Sequence, residues 1–181
     1  MRYRRATLAG ATYFFTVNLA DRRADHLTRH SDLLRDVIHR VKMAHPFPID
    51  AMVVLPDHIH TMWTLPEDDA DYPMRWSLIK AGFSRGLATT ERINDSRQSK
   101  RERGVGQRRY WEHLIRDDRD YATHVNYMHI NPVKHEYVIR AVDWPQSSIH
   151  QYIERGWLAA DWAVALTVNV PGQQCIEGSC S

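Results

Sequence analysis

The chain has 181 residues, 43% of them hydrophobic, with six tryptophans, eleven histidines and a net charge of +2, which fits one globular domain long enough to bury a core. No run approaches the roughly 20 apolar residues that span a bilayer, and Met1 to Arg5 lacks the apolar core of a signal peptide, so the expectation is no membrane partner and a cytoplasmic location. The two cysteines, Cys175 and Cys180, lie in the last seven residues, which argues against a disulfide framework or a complete thiolate metal site.

In chain order, Arg2, Arg4 and Arg5 form a first basic cluster. Tyr13 to Leu19 then alternates, with Tyr13, Phe15, Val17 and Leu19 on one face and Phe14, Thr16 and Asn18 on the other, which predicts a central strand buried on both sides. Ser31 is a candidate N-cap for a helix over 31–44 in which Leu34, Val37, Ile38 and Val41 recur at helical spacing. Residues 49–55 and 58–65 are β-type runs separated by Pro56 and Asp57, the pattern of a hairpin. After an acidic loop over 66–73, Trp76, Ile79, Phe83 and Leu87 predict a second helix, weakened by Gly82 and Gly86.

Residues 89–106 read as a mobile basic loop, and from Arg97 to Arg109 six cations (Arg97, Lys100, Arg101, Arg103, Arg108, Arg109) face the single acid Glu102. Clustered cations suit phosphate backbones, although a solvated surface loop reads the same way. A short strand over 110–115 follows, and then a helix over 117–130 whose first turn is acidic. Tyr121, Val125 and Met128 form its packing stripe, while Asp120, His124, Tyr127 and Asn131 form a polar one. Asn131 before Pro132 is a natural helix stop. A short helix is expected around 147–155, packed by Trp144, Trp157 and Trp162.

The order β, α, β, β, α, β followed by an added helix predicts an α+β fold, a ferredoxin-like split βαβ antiparallel sheet with an added C-terminal tyrosine-bearing helix. The expected organisation is a single domain over 1–165, with a disordered tail over 166–181.

Two segments carry chemistry. Strand alternation points His58 and His60 the same way, a two-toothed clamp for a cation. Helical spacing stacks Tyr127, a potential nucleophile, one turn from Asn131, a potential third ligand. A cation with open positions polarises a phosphodiester toward a tyrosine oxygen, so the conjunction points to phosphoryl transfer. Taken singly, each piece has a plainer reading: a strand His-x-His pair is usually structural, a helical tyrosine usually packs a core, and Asn-Pro usually ends a helix.

The run Pro56-Asp57-His58-Ile59-His60 resembles the His-hydrophobic-His (HUH) motif of single-tyrosine transposases, and Tyr127 to His135 resembles the tyrosine helix of REP-associated tyrosine transposases. Tyr13 to Asn18, Arg109 to His113 and Asp143 to Ser148 match further blocks in the same order, so the resemblance covers roughly residues 3–165. It implies a DNA endonuclease and strand transferase acting on single-stranded DNA hairpins of the REP type. Tyr127 would form a 5′-phosphotyrosine link, His58, His60 and Asn131 would hold a divalent metal, and His124 and Asp120 would support those ligands from behind. The family implies Mg²⁺ or Mn²⁺, whereas two imidazoles alone favour Zn²⁺ or Mn²⁺. Arg2, Arg4, Arg5, Lys100, Arg101, Arg103, Arg108 and Arg109 are the candidate DNA contacts, in either a monomer or a dimer. The alternatives are a non-catalytic single-strand or hairpin binder, with Phe14, Trp63 and Tyr110 as stacking rings, and a small metallohydrolase using metal-bound water.

Overall fold

The computed structural model describes residues 8–87 and 109–162. The basic segment expected over 89–106, the N-terminal arginines and the tail beyond 162 lie outside the described residues. The chain divides into two compact units, Met1–Ile115 and Arg116–Ser181. Among the described residues no helix is long and apolar enough to cross a membrane.

The first unit is a four-stranded antiparallel sheet, β1 (Thr12–Asn18), β2 (Ile49–Val54), β3 (His58–Thr64) and β4 (Trp111–Leu114), in the order β2-β3-β1-β4. It carries α1 (His26–Arg29), α2 (Ser31–Ala44) and α3 (Tyr72–Gly86). β1 is therefore central, as its two-sided burial predicts, and β3 lies between β1 and β2, the split βαβ order of a ferredoxin-like sheet.

Strand alternation sorts the sheet into two faces. Tyr13, Phe15, Val17, Ile59 and Trp63 join Leu34, Val37, Trp76, Ile79 and Phe83 in one aromatic core with the helices, where Trp63 stacks on Trp76 at 4.4 Å between centroids. His58, His60, Phe14 and Thr16 take the opposite face, because Thr16 pairs with His60 and Asn18 with His58 across the β1–β3 ladder.

Three local details depart from expectation. Ser31 lies inside the first turn of α2, not ahead of it; His30 occupies the cap position, and its carbonyl accepts from Leu34 N–H. Because α1 ends at Arg29 and α2 begins at Ser31, His30 is the one residue between them and holds the non-helical position from which a side chain could cap, while Ser31 is already helical. Gly82 and Gly86 do not interrupt α3, and their helix-propensity cost comes with a packing role: a Cβ at Gly82 would stand 2.8 Å from Val37 Cγ1 and one at Gly86 2.6 Å from Leu33 Cδ1, so the glycines let α2 and α3 approach closely.

Arg75 is almost fully buried within α3, and is kept there by donating to both Asp69 carboxylate oxygens and to the carbonyls of His45, Pro46 and Asp71. A buried guanidinium needs this many acceptors, since each unmet donor is costly in a dry environment. The Asp69 hydrogen bond from Arg75 holds its carboxyl below the ordinary range.

The second unit is built on α4 (Asp118–Lys134), with a 3₁₀ turn (Ala141–Asp143) and α5 (Ile149–Glu154) against it. The Asp117 carboxylate caps α4 by accepting from Asp120 N–H at 2.8 Å. The third departure is that α4 runs through Pro132 instead of stopping before it. Proline forfeits only one backbone bond this near the end, and the termination motif supplies others. Glu136 adopts φ 59, while Glu136 N–H donates to Val133 O at 2.9 Å and Tyr137 N–H to Pro132 O at 3.0 Å, a Schellman closure with a non-glycine residue in the left-handed position.

Candidate functional site

The hairpin turn sets up the first half. β2 and β3 are joined by a short turn containing Pro56 and Asp57, and Leu55 N–H donates to His58 O at 2.8 Å across it. His58 and His60 follow on one face, 4% and 2% exposed, with ring centroids 4.8 Å apart and planes at 79°. His58 Nδ1 donates to Asp57 Oδ1 at 2.6 Å. His60 Nδ1 is hydrogen-bonded to Thr16 Oγ1 at 2.9 Å, and its ring stacks on Phe14 at 5.5 Å. With Nδ1 of both rings engaged by the protein, Nε2 is the nitrogen suited to ligation.

Arg22 Nε donates to Asp57 Oδ2, and Arg22 Nη1 donates to Asn18 Oδ1 at 3.2 Å. Burial pushes the Asp57 carboxyl up, but the hydrogen bonds and charges of His58 and Arg22 outweigh it and hold the group below its ordinary value.

The second half is the polar stripe of α4. Asp120, His124, Tyr127 and Asn131 are all buried. His124 Nδ1 donates to the Asp120 carbonyl at 2.8 Å and lies 3.2 Å from Asp120 Oδ1; Asp120 Oδ2 in turn accepts from Arg116 Nε at 2.9 Å. The Tyr127 ring is 8% exposed, with Lys134 Nζ 4.9 Å above its centroid. Asn131 is 1% exposed, and its Oδ1 has no hydrogen-bond partner among the described residues.

Tyr121 belongs to the packing side, its hydroxyl 3.4 Å from that of Tyr152. His129 is also structural: its Nε2 is hydrogen-bonded to Ser148 Oγ at 3.0 Å, and burial, then the nearby His150, lowers its pKa to about 4, so the ring is neutral.

The structure thus brings His58 together with His60 in one unit, and aligns Asp120, His124, Tyr127 and Asn131 in the other. Arg109 is exposed just ahead of β4. Arg2, Arg4, Arg5, Lys100, Arg101, Arg103 and Arg108 lie outside the described residues. Phe14 and Trp63, expected as stacking rings for a nucleic-acid-binding sheet, are each 1% exposed, and Tyr110 packs against the core; the same alternation that makes the strands puts these rings inside. Sequence reasoning passed over Thr16, Arg22, Asp57 and Lys134. The signal for Asp57 and Lys134 was their adjacency to the motifs, whereas the roles of Thr16 and Arg22 depend on strand pairing and a turn.

No family model matches the chain. It is 42% identical over 175 residues to the REP-associated tyrosine transposase of Escherichia coli (strain K12), covering 97% of this chain and 98% of that protein. It is 44% identical over 171 residues to a Haemophilus influenzae relative, covering 94% and 97%. A solved structure of a REP-associated tyrosine transposase bound to a REP hairpin superposes with a TM-score of 0.78 at 42% identity, covering 94% of this chain and 97% of that one. With this identity over nearly the whole of both sequences, and the same mixed fold, the chain belongs to the REP-associated tyrosine transposases.

Proposed function

We propose that the protein is a metal-dependent endonuclease and strand transferase for single-stranded DNA bearing REP-type hairpins, working in the cytoplasm. The observation that carries this reading is the buried α4 stripe, in which Tyr127 lies one turn from an Asn131 whose Oδ1 has no hydrogen-bond partner among the described residues. The solved relative is bound to a REP hairpin, which supports the same substrate class here. One transposase domain over 1–165 is part of the same reading.

The family implies a divalent cation, and the donors present fit one. Two imidazoles have Nδ1 already engaged, and a buried amide oxygen lacks, among the described residues, the hydrogen bond that a buried acceptor ordinarily makes. His58, His60 and Asn131 are its proposed ligands, with Mg²⁺ or Mn²⁺ as the ion. When bound, the cation neutralises charge on the phosphoryl oxygens.

The protein's own groups do the rest. The Tyr127 oxygen forms a bond to phosphorus as the bond from phosphorus to the 3′-oxygen breaks. The phenolic proton is lost, and the departing oxygen leaves as a free 3′-OH. One phosphodiester replaces another, so attack by a 3′-OH on the 5′-phosphotyrosine runs the step backwards or transfers the strand. Lys134 adds positive charge beside the phenol. Asp120 fixes the His124 ring, and the pair supports the ligands from behind.

Tyr127→Phe removes only the nucleophilic oxygen. The variant is expected to keep its affinity for a REP hairpin with a single-stranded flank and to give no SDS-resistant DNA adduct. A Phe variant that still links covalently to DNA rules out Tyr127 as the nucleophile.

A further inference from the structure

Asp57 is a turn residue, yet its carboxylate is nearly buried, with both oxygens engaged by side chains: Oδ1 by His58 Nδ1 and Oδ2 by Arg22 Nε. Turn aspartates ordinarily bond their own backbone. This one is also pinned through its main chain, since the Asp57 carbonyl accepts from Leu19 N–H at 2.7 Å. The end of β1 and the segment after it therefore hold the turn from two sides.

A guanidinium only donates and a carboxylate only accepts. The chain from Arg22 through Asp57 to His58 thus has a single polarity, with the imidazole proton on Nδ1 and the lone pair on Nε2. We propose that Asp57, anchored by Arg22, is a positioning residue that locks His58 in the tautomer able to bind the cation through Nε2. This rests on reading His58 as a metal ligand. A negative charge behind the ring also raises the basicity of the ligating nitrogen, as carboxylates behind metal-bound histidines do.

The arrangement makes an unusual demand on Asp57→Asn. Arg22 cannot accept a hydrogen bond, so it claims the single amide oxygen, which turns the NH₂ toward His58 Nδ1. The ring must then accept there and carry its proton on Nε2, the wrong nitrogen for ligation. Removing Arg22 in that background frees the amide to flip its oxygen toward His58, restoring the original tautomer. A purely structural turn aspartate predicts the reverse, since a second lesion would only do further harm.

The test uses the full-length protein labelled with ¹⁵N-histidine. Long-range ¹H–¹⁵N spectra of the metal-free protein report the tautomer, with the His58 signals assigned by their loss in His58→Gln. Mn²⁺ affinity, read from the electron paramagnetic resonance of the free ion, reports the consequence. We expect Nδ1–H at His58 in the wild type, Nε2–H with Mn²⁺ binding weakened about 10- to 100-fold in Asp57→Asn, and partial recovery of both in Arg22→Ala/Asp57→Asn. An unchanged tautomer in Asp57→Asn, or a double variant no tighter for Mn²⁺ than the single one, overturns the proposal. A tautomer that switches with no change in Mn²⁺ affinity instead overturns His58 as a ligand, and with it the functional reading.

Discussion

Asn131 poses the clearest question at the scale of single residues. An amide oxygen buried without a hydrogen bond costs a fold about 1–3 kcal/mol, and Asn131 Oδ1 is buried with no such bond among the described residues. A cation held by that oxygen would offset it, and in the strand two buried histidines lie side by side, their ring centroids 4.8 Å apart. His58→Ala, His60→Ala and Asn131→Ala are each expected to raise the metal concentration needed for half-maximal cleavage by more than they weaken hairpin binding, because phosphate contacts dominate DNA affinity. Titrating Mn²⁺ against cleavage, alongside anisotropy with a labelled hairpin, separates the two effects. Equal metal dependence in the wild type and all three variants would remove these residues as ligands.

The elements show where sequence patterning succeeds and where it stops. Alternation in β1 and β3 and the two stripes of α4 were legible because period and burial are properties of one element at a time. The glycines of α3 misled because helix propensity ignores the neighbouring helix. Gly82 faces Val37, a β-branched and buried side chain with one strongly preferred helical rotamer, whereas Gly86 faces the flexible end of the partly exposed Leu33. Gly82→Ala should therefore lose about 1–3 kcal/mol to overpacking, more than the roughly 1 kcal/mol that alanine returns in helix propensity. Gly86→Ala should come out near neutral. Urea unfolding ranks the two, and a Gly82→Ala protein as stable as Gly86→Ala would mean that α2 and α3 separate freely. The extension of α4 past Pro132 was hidden for a similar reason: the Schellman closure needs Glu136 at positive φ, which nothing in its side chain advertises.

For the whole molecule, the net charge of +2 understates the local fields. The cations between Arg97 and Arg109 and those at Arg2, Arg4 and Arg5 are proposed to grip DNA; of these Arg109 lies among the described residues, where it is exposed. Replacing Lys100, Arg101 and Arg103 by alanine should lower the slope of log affinity against log salt by roughly 0.7 to 0.9 for each phosphate no longer neutralised. Measuring hairpin affinity at several salt concentrations gives the number directly, and an unchanged slope would make the cluster a solvated surface. β3, finally, serves two masters: Ile59 and Trp63 hold the core while His58 and His60 face the other way. Substitution and insertion therefore have opposite fates in descent. Point changes at the histidines leave the core side of the strand untouched and so a folded protein for selection to reuse, whereas one extra residue in the strand would exchange its two faces and lose core and histidine pair together.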